Sequence, residues 1–304
     1  MGNHKYLIAV TGPTASGKTG LAIQLARHYN TVILSADSRQ FYTELNIGVA
    51  RPSEEELTAA PHYFIADRSI QNQLTAGQYE KEALEILDTL FKTHDVVILC
   101  GGSGLFINTL VFGADPMPEA DEALRNNLQK QYEEKGIGFL QAELQRLDPV
   151  YYDKVDKQNP LRLMRAIEVC LVTGEPYSAQ RKNEKKERPF TTIFLGLDVE
   201  RELLYNHINQ RVDTMMQNGL LAEAHGLFHL KHLSTLQTVG YSELFDYFDG
   251  HSDLETAVDL IKRNSRRYAK RQLTWFRRNE EIKWFNPKNT EEILSYLNQS
   301  ISLV

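Results

Sequence analysis

An α/β fold is predicted: a parallel sheet with helices on both faces, carrying an all-helical insertion domain. Three observations predict it. Apolar runs of strand length alternate with helical spacing over the first 115 residues. Between Asp115-Pro116-Met117-Pro118 and Thr191 the strand signal disappears and helical patterns take over. A glycine-rich motif of the phosphate-binding type stands where the first strand meets the first helix. Strands that alternate with helices pair in parallel, because each crossover brings the chain back in the same direction. The predicted domains are residues 1–115 with 190–304, a core with a helical C-terminal region, and residues 116–189, the insertion.

The elements follow in order. Tyr6–Thr11 is the first strand, an apolar run of the kind buried on both faces. Gly12-Pro13-Thr14-Ala15-Ser16-Gly17-Lys18-Thr19 follows and fits G-x-x-x-x-G-K-[ST]. A helix opens with Leu21-Ala22-Ile23. The second strand covers 31–35 and ends at Ala36-Asp37; a shorter strand candidate covers 62–66. Residues 78–93 place Ala83, Leu84, Leu87, Leu90 and Phe91 at helical spacing. A strong strand at 95–100 ends in Gly101-Gly102. The insertion holds helices at Glu122–Lys135, 139–147 and 161–173, the last stopped by Gly174 with Pro176 beyond. Residues 192–198 return as the last strand of the sheet, and helices follow over Arg201–Gln217, 220–230, 241–247 and 254–278.

Composition narrows the function. The chain has 304 residues, 42% hydrophobic and 24% charged, a soluble globular mix large enough for a sizeable core. No apolar run reaches bilayer-spanning length and no secretory signal precedes the first strand. Cys100 and Cys170 are two thiols, too few for a disulfide framework or a four-ligand zinc site, and suit a reducing compartment. A cytoplasmic monomer is expected. The net charge of −6 argues against nucleic acid, but its distribution does not. Residues 262–278 carry eight basic side chains, among them Arg266, Arg267 and Arg271, and no acidic one. Tyr268, Trp275 and Phe276 stand between them, and charge interleaved with stacking rings is the pattern of an RNA surface. A solvated helix with its aromatics in the core is compatible with the same run. The charges fall on several sides of that helix rather than on one tidy face.

In open α/β sheets ligands bind at the carboxyl ends of the strands. The first strand delivers the phosphate loop, whose backbone N–H groups and following helix N-terminus form an anion site. Lys18 supplies a point charge there, and the Thr19 hydroxyl can hold Mg²⁺. This makes the core P-loop NTPase-like. The second strand delivers Asp37-Ser38-Arg39-Gln40, so a carboxylate lies within reach of the phosphate site as a Mg²⁺ ligand or general base. The third strong strand lacks the acidic end that ATPases use to organise Mg²⁺. Its glycines permit either close approach by a ligand or a tight turn. Arg211 lies on the helix after the last strand, where phosphate-loop kinases place a lid arginine; a surface ion pair with Asp213 or Glu202 is the alternative.

Taken together, these stretches resemble the tRNA dimethylallyltransferases, also called tRNA isopentenyltransferases. The matching blocks are the phosphate loop; Ala36-Asp37-Ser38-Arg39-Gln40-Phe41-Tyr42; Gly101-Gly102-Ser103-Gly104-Leu105-Phe106; Asp148-Pro149; Asn159-Pro160-Leu161-Arg162 with Arg165-Ala166-Ile167-Glu168; Arg211-Val212-Asp213-Thr214-Met215; Val239-Gly240-Tyr241; and Arg267-Tyr268-Ala269-Lys270-Arg271-Gln272 with Thr274-Trp275-Phe276. They run in family order over about residues 6–285. Ser103 and Phe106 stand where the family more often has Thr and Tyr, which keeps one hydroxyl and loses the other.

The resemblance implies a dimethylallyl diphosphate donor, Mg²⁺ near Thr19, and transfer to N6 of the adenosine immediately 3′ of the anticodon. Lys18 and Arg211 would stabilise the departing diphosphate, and Asp37 would hold N6 and accept its proton. The adenosine would leave its stack and enter a channel through the core, with the donor entering from the other side. Ser103, Arg125, Ser38, Arg39, Gln40, and Gln158, Asn159, Pro160, Leu161 and Arg162 would contact the RNA. The insertion would clasp the anticodon stem-loop, with Arg266, Arg267 and Arg271 supplying backbone contacts. The residues by themselves leave three other readings: a P-loop small-metabolite kinase, a prenyltransferase using free AMP, and a non-catalytic RNA-binding protein.

Overall fold

The computed structural model describes residues 4–182 and 184–302. It divides into two compact units, Met1–Phe112 with Glu187–Val304, and Gly113–Lys186. The first unit begins β1 (Tyr6–Thr11), α1 (Lys18–His28), β2 (Ile33–Ser35), α2 (Glu54–Ala59), β3 (His62–Tyr63), α3 (Ala76–Leu90), β4 (Val96–Cys100) and α4 (Gly104–Phe112). The second unit holds α5 (Glu122–Lys135), α6 (Ile137–Leu147), α7 (Pro149–Tyr152), α8 (Pro160–Thr173) and α9 (Tyr177–Gln180). The first unit resumes with β5 (Thr191–Leu197), α10 (Arg201–Gln217), α11 (Leu220–Leu227), α12 (Tyr241–Phe248), α13 (Leu254–Phe276), β6 (Lys283–Phe285) and α14 (Thr290–Ser302).

The strands pair in parallel in the order β3-β2-β4-β1-β5-β6. Side chains along β1 alternate between two cores, as the two-residue period of a strand requires. Leu7 and Ala9 join the layer that contains Leu87, Leu110, Val212, Leu244 and Ile261. Tyr6, Ile8 and Val10 join the layer built with Leu21 and Leu25 of α1 and Ile293 and Leu297 of α14. β4 repeats the division, Val97 and Leu99 against Val96 and Ile98. Both faces being covered explains why these strands read as unbroken apolar runs.

Several features differ from the sequence expectation; α2, α7, α9 and α14 were not expected, and four further differences have a physical reason. The strand candidate at 62–66 stops at Tyr63, because Phe64 and Ala66 take left-handed backbone conformations (φ 61° and 48°). The strand at 192–198 is not the last: β6 pairs beyond it at the sheet edge, too short to carry a pattern. Helix α4 was not expected, since its apolar residues lie on most sides and show no amphipathic period. On α13 the buried residues Ala257, Ile261, Ala269, Gln272 and Phe276 recur at helical spacing, so that helix has one core face after all.

The second unit packs Leu128, Leu140, Leu144, Leu163 and Ile167 into its own core. Asn159 caps α8 by accepting from Arg162 N at 3.1 Å, Pro160 takes the first helical position, and Gly174 ends the helix at φ 75°. Glu168, fully buried, accepts from Asp121 N at 2.9 Å and pairs with Arg165 (2.9 Å) and Arg125 (3.2 Å). Asp148 accepts from Tyr151 N, from Ser178 N and from the Ser178 hydroxyl. The Asp148-Pro149 and Arg165–Glu168 blocks thus hold this unit together. Among the described residues no helix is long and apolar enough to cross a membrane.

Candidate active site

The phosphate loop joins β1 to α1. Gly12 (φ 144°) and Gly17 (φ 91°) occupy conformations that a side chain disfavours, and Gly17 is the N-cap of α1. Lys18 and Thr19 are the first two residues of α1. Lys18 Nζ donates to Pro13 O at 2.6 Å, so the ammonium is folded across the loop. Burial pushes it down to about 8, opposed by the nearby Cys100 and Asp37 and aided by Arg211. The Ser16 hydroxyl is buried under the loop with no hydrogen-bond partner among the described residues.

Arg211 reaches the loop from α10, donating from Nη1 to Thr14 Oγ1 at 3.2 Å. Crowding around the guanidinium lowers its pKa, against the pull of Asp37 and Glu56. It stays charged all the same, because guanidinium does not deprotonate in proteins. The alternative partner Asp213 is instead taken by Lys262 at 2.6 Å.

Asp37 follows β2, where Oδ1 accepts from Arg39 N at 3.2 Å. It lies within electrostatic reach of Lys18, Arg211 and Tyr268. Ser103 Oγ accepts from Ser38 N at 3.0 Å and donates to Ser38 Oγ at 3.1 Å, so two predicted RNA contacts are bonded to each other. Arg39 Nη1 donates to Thr235 O at 3.0 Å. Gln40 Nε2 donates to Ala50 O at 2.9 Å. Burial pushes the Tyr268 hydroxyl up to about 12, with Asp37 adding to it and a hydrogen bond with Ser103 opposing it. The Cys100 thiol at the end of β4 is likewise pushed up to about 12, chiefly by burial.

The glycines after β4 serve protein packing. A Cβ on Gly101 would stand 2.3 Å from Ala36 O, one on Gly102 2.3 Å from Gln272 Nε2, and one on Gly104 2.2 Å from Trp275. Helix α13 therefore lies directly on this turn. Gln272, on its buried face, accepts from Thr14 N at 2.8 Å and donates to Gly102 O at 2.9 Å. Sequence reasoning gave Gln272 no role, although it sits in one of the blocks that carry the family resemblance. Phe106 packs in a ring cluster with Phe41 and Tyr79, at centroid distances of 5.5 and 5.3 Å.

The structure brings together the loop, Asp37, Ser38, Ser103, Arg211, Tyr268 and Gln272. Arg267 and Arg271 are exposed on α13, Arg271 with its guanidinium 5.7 Å from the Tyr268 ring. Arg266 is held more tightly, donating to Asn209 Oδ1 at 2.6 Å and lying 5.9 Å from the Tyr205 ring. The other predicted RNA contacts lie in the second unit. Gln158 and Asn159 precede α8, Asn159 as its N-cap, and Pro160, Leu161 and Arg162 open the helix, with Leu161 73% exposed. Arg125 meets α8 at Glu168, about 12 Å further along its axis. Among the described residues no group of three or more His, Cys, Asp or Glu could hold a metal ion.

Known proteins match this chain along nearly its whole length. The family model described as IPP transferase matches residues 40–279. The tRNA dimethylallyltransferase of Christiangramia forsetii is 50% identical, over 98% of this chain and 99% of its own. That of Cytophaga hutchinsonii is 48% identical, over 98% of each. The full-length tRNA isopentenylpyrophosphate transferase of Bacillus halodurans, a solved structure, has a TM-score of 0.72 at 33% identity and covers 98% of this chain and 97% of its own. A eukaryotic dimethylallyltransferase acting on tRNA has the same fold at a TM-score of 0.82 and 22% identity, over 98% of this chain and 80% of its own. The chain belongs to the IPP transferase family.

Proposed function

We infer that the protein transfers a dimethylallyl group from dimethylallyl diphosphate to N6 of the adenosine immediately 3′ of the anticodon in tRNA, releasing diphosphate. The observation that carries this reading is the convergence of Lys18, Arg211 and Asp37 at one phosphate loop. The diphosphate occupies the loop. As the C1–O bond breaks, negative charge develops on the departing oxygen, and Lys18 and Arg211 stabilise it. The N6 lone pair forms the new bond to C1, and Asp37 accepts the N6 proton. No acidic residue ends β4, which suits a loop whose diphosphate leaves rather than one that hydrolyses ATP.

Mg²⁺ fits the chemistry of the donor set. This ion takes one or two protein oxygens and completes its octahedron with phosphate oxygens and water. Thr19 would supply the protein oxygen, and the scarcity of clustered carboxylates among the described residues is compatible with an ion that arrives with the diphosphate. When bound it would add positive charge beside the leaving group. Ser38, Arg39, Gln40 and Ser103 would receive the acceptor nucleotide. Arg125, Gln158, Asn159, Pro160, Leu161 and Arg162 of the second unit would grip the stem-loop, as would Arg266, Arg267 and Arg271 of α13.

The test is label transfer from dimethylallyl diphosphate, with Mg²⁺, to a tRNA carrying adenosine 3′ of the anticodon, beside AMP as acceptor. Transfer to tRNA and not to AMP is expected. Transfer to AMP alone would make the protein a nucleotide prenyltransferase. ADP formation indifferent to tRNA would make it a kinase.

A further inference from the structure

The geometry points to Gln272 as a positioning residue for the donor site: from the acceptor-side helix α13 its amide fixes Thr14, and with it the phosphate loop. The inference rests on the transferase reading above. Both ends of the amide are committed. Oε1 accepts from Thr14 N at 2.8 Å and Nε2 donates to Gly102 O at 2.9 Å. The orientation is fixed by its partners, since a backbone N–H needs an acceptor and a carbonyl needs a donor. The residue is 6% exposed, so water cannot stand in for either bond.

Thr14 is thereby held from two sides. Its N–H is taken by Gln272 and its hydroxyl accepts from Arg211 Nη1. An N–H of a phosphate loop ordinarily turns toward the anion. Here that of Thr14 is spent on Gln272, which sets the tilt of this peptide and so the aim of its neighbours. The same hold fixes the oxygen against which Arg211 rests. Through Gly102 the amide also ties the turn after β4 to the loop after β1, two neighbouring strands of the sheet. Gln272 touches neither reacting group and acts through Thr14.

The experiment compares Gln272→Ala and Gln272→Met with the full-length wild type. Met fills nearly the same volume but can make neither bond, so it separates packing from hydrogen bonding. Measured are kcat/KM for dimethylallyl diphosphate at saturating tRNA, the Kd for tRNA without donor, and Tm. Both variants are expected to lose roughly 10- to 100-fold in kcat/KM for the donor, the effect of leaving a buried backbone group unpaired. Met should keep the tRNA Kd within about threefold, as a defect confined to the loop requires. Restoration of donor kcat/KM by Met would reduce Gln272 to a packing residue and overturn the inference. A Met variant whose tRNA affinity falls as far as its donor kcat/KM would overturn it as well. A wild type that transfers nothing to tRNA would instead refute the transferase reading, so the two failures are distinct.

Discussion

Raising the pH through 8 should weaken the use of the donor. Burial holds the Lys18 ammonium at about 8 rather than the 10.5 of a free lysine. Below pH 8 the loop presents a full positive charge to the diphosphate. Above it the free protein holds a neutral amine, and binding must first recapture a proton. The sign is therefore a loss of affinity with rising pH. At pH 9 about one-tenth of the free protein is protonated, and the loss approaches tenfold per pH unit, about 1.4 kcal/mol. The bound diphosphate favours the charged form, so the complex titrates higher and kcat should fall later than kcat/KM. The same shift bears on stability. An unfolded Lys18 binds its proton up to about 10.5, so between about 8 and 10.5 the unfolded chain binds more protons and folding gains as pH rises. Loss of activity there cannot be blamed on unfolding by this group. The assay is kcat/KM for dimethylallyl diphosphate from pH 6.5 to 10 at saturating tRNA, with Lys18→Arg alongside, which stays charged throughout. A wild-type profile flat to pH 9.5, or one bending at the same pH in Lys18→Arg, would refute the assignment.

Replacing Asp37 by Ala should lower kcat by roughly 10²- to 10⁴-fold, the usual contribution of a positioned base, while tRNA binding measured by filter retention survives. Near-wild-type turnover would remove Asp37 as proton acceptor. Replacing Arg267 and Arg271 together by Ala should flatten the salt dependence of tRNA binding by roughly 0.7–0.9 in log–log slope for each phosphate that is no longer neutralised. These two are exposed, whereas Arg266 is bonded to Asn209, so its replacement would also disturb packing. An unchanged slope would mean that α13 does not follow the RNA backbone.

The sheet and the loop were legible because their signals are local. A strand covered on both faces is an apolar run, and Gly17-Lys18-Thr19 needs only its neighbours to take shape. Helix α4 was not legible because burial on most sides erases periodicity, and β6 because three residues carry none. The missed site residue is instructive for a different reason. Gln272 has partners 258 and 170 residues away, and a glutamine within a basic helix carries no local mark of either. The block that ends in Arg271-Gln272 pointed to the place without giving the role. The glycines after β4 were open to two readings in the sequence. A Cβ at Gly101 would stand 2.3 Å from Ala36 O and one at Gly102 2.3 Å from Gln272 Nε2, so the protein packs on itself too closely there for any side chain.

That packing bears on what the phosphate loop is for. A loop built to hydrolyse ATP needs an acid at the end of the neighbouring strand to organise the metal and the attacking water. Here Cys100 stands at that end, its thiol held protonated by burial, and the turn beyond it is covered by α13. The acid lies one strand further over, as Asp37, beside Ser38, Ser103 and Tyr268. A carboxylate among hydroxyls suits a nucleobase amine as the nucleophile better than water, since it can accept from N6 while the hydroxyls bond the rest of the base. On the proposed reading, Lys18 and Arg211 stabilise the leaving group at the loop, and Asp37, within electrostatic reach of both, accepts the proton. A transfer of this kind would need both at one place: charge to release diphosphate, and an acceptor that holds the amine in line with the carbon that diphosphate leaves.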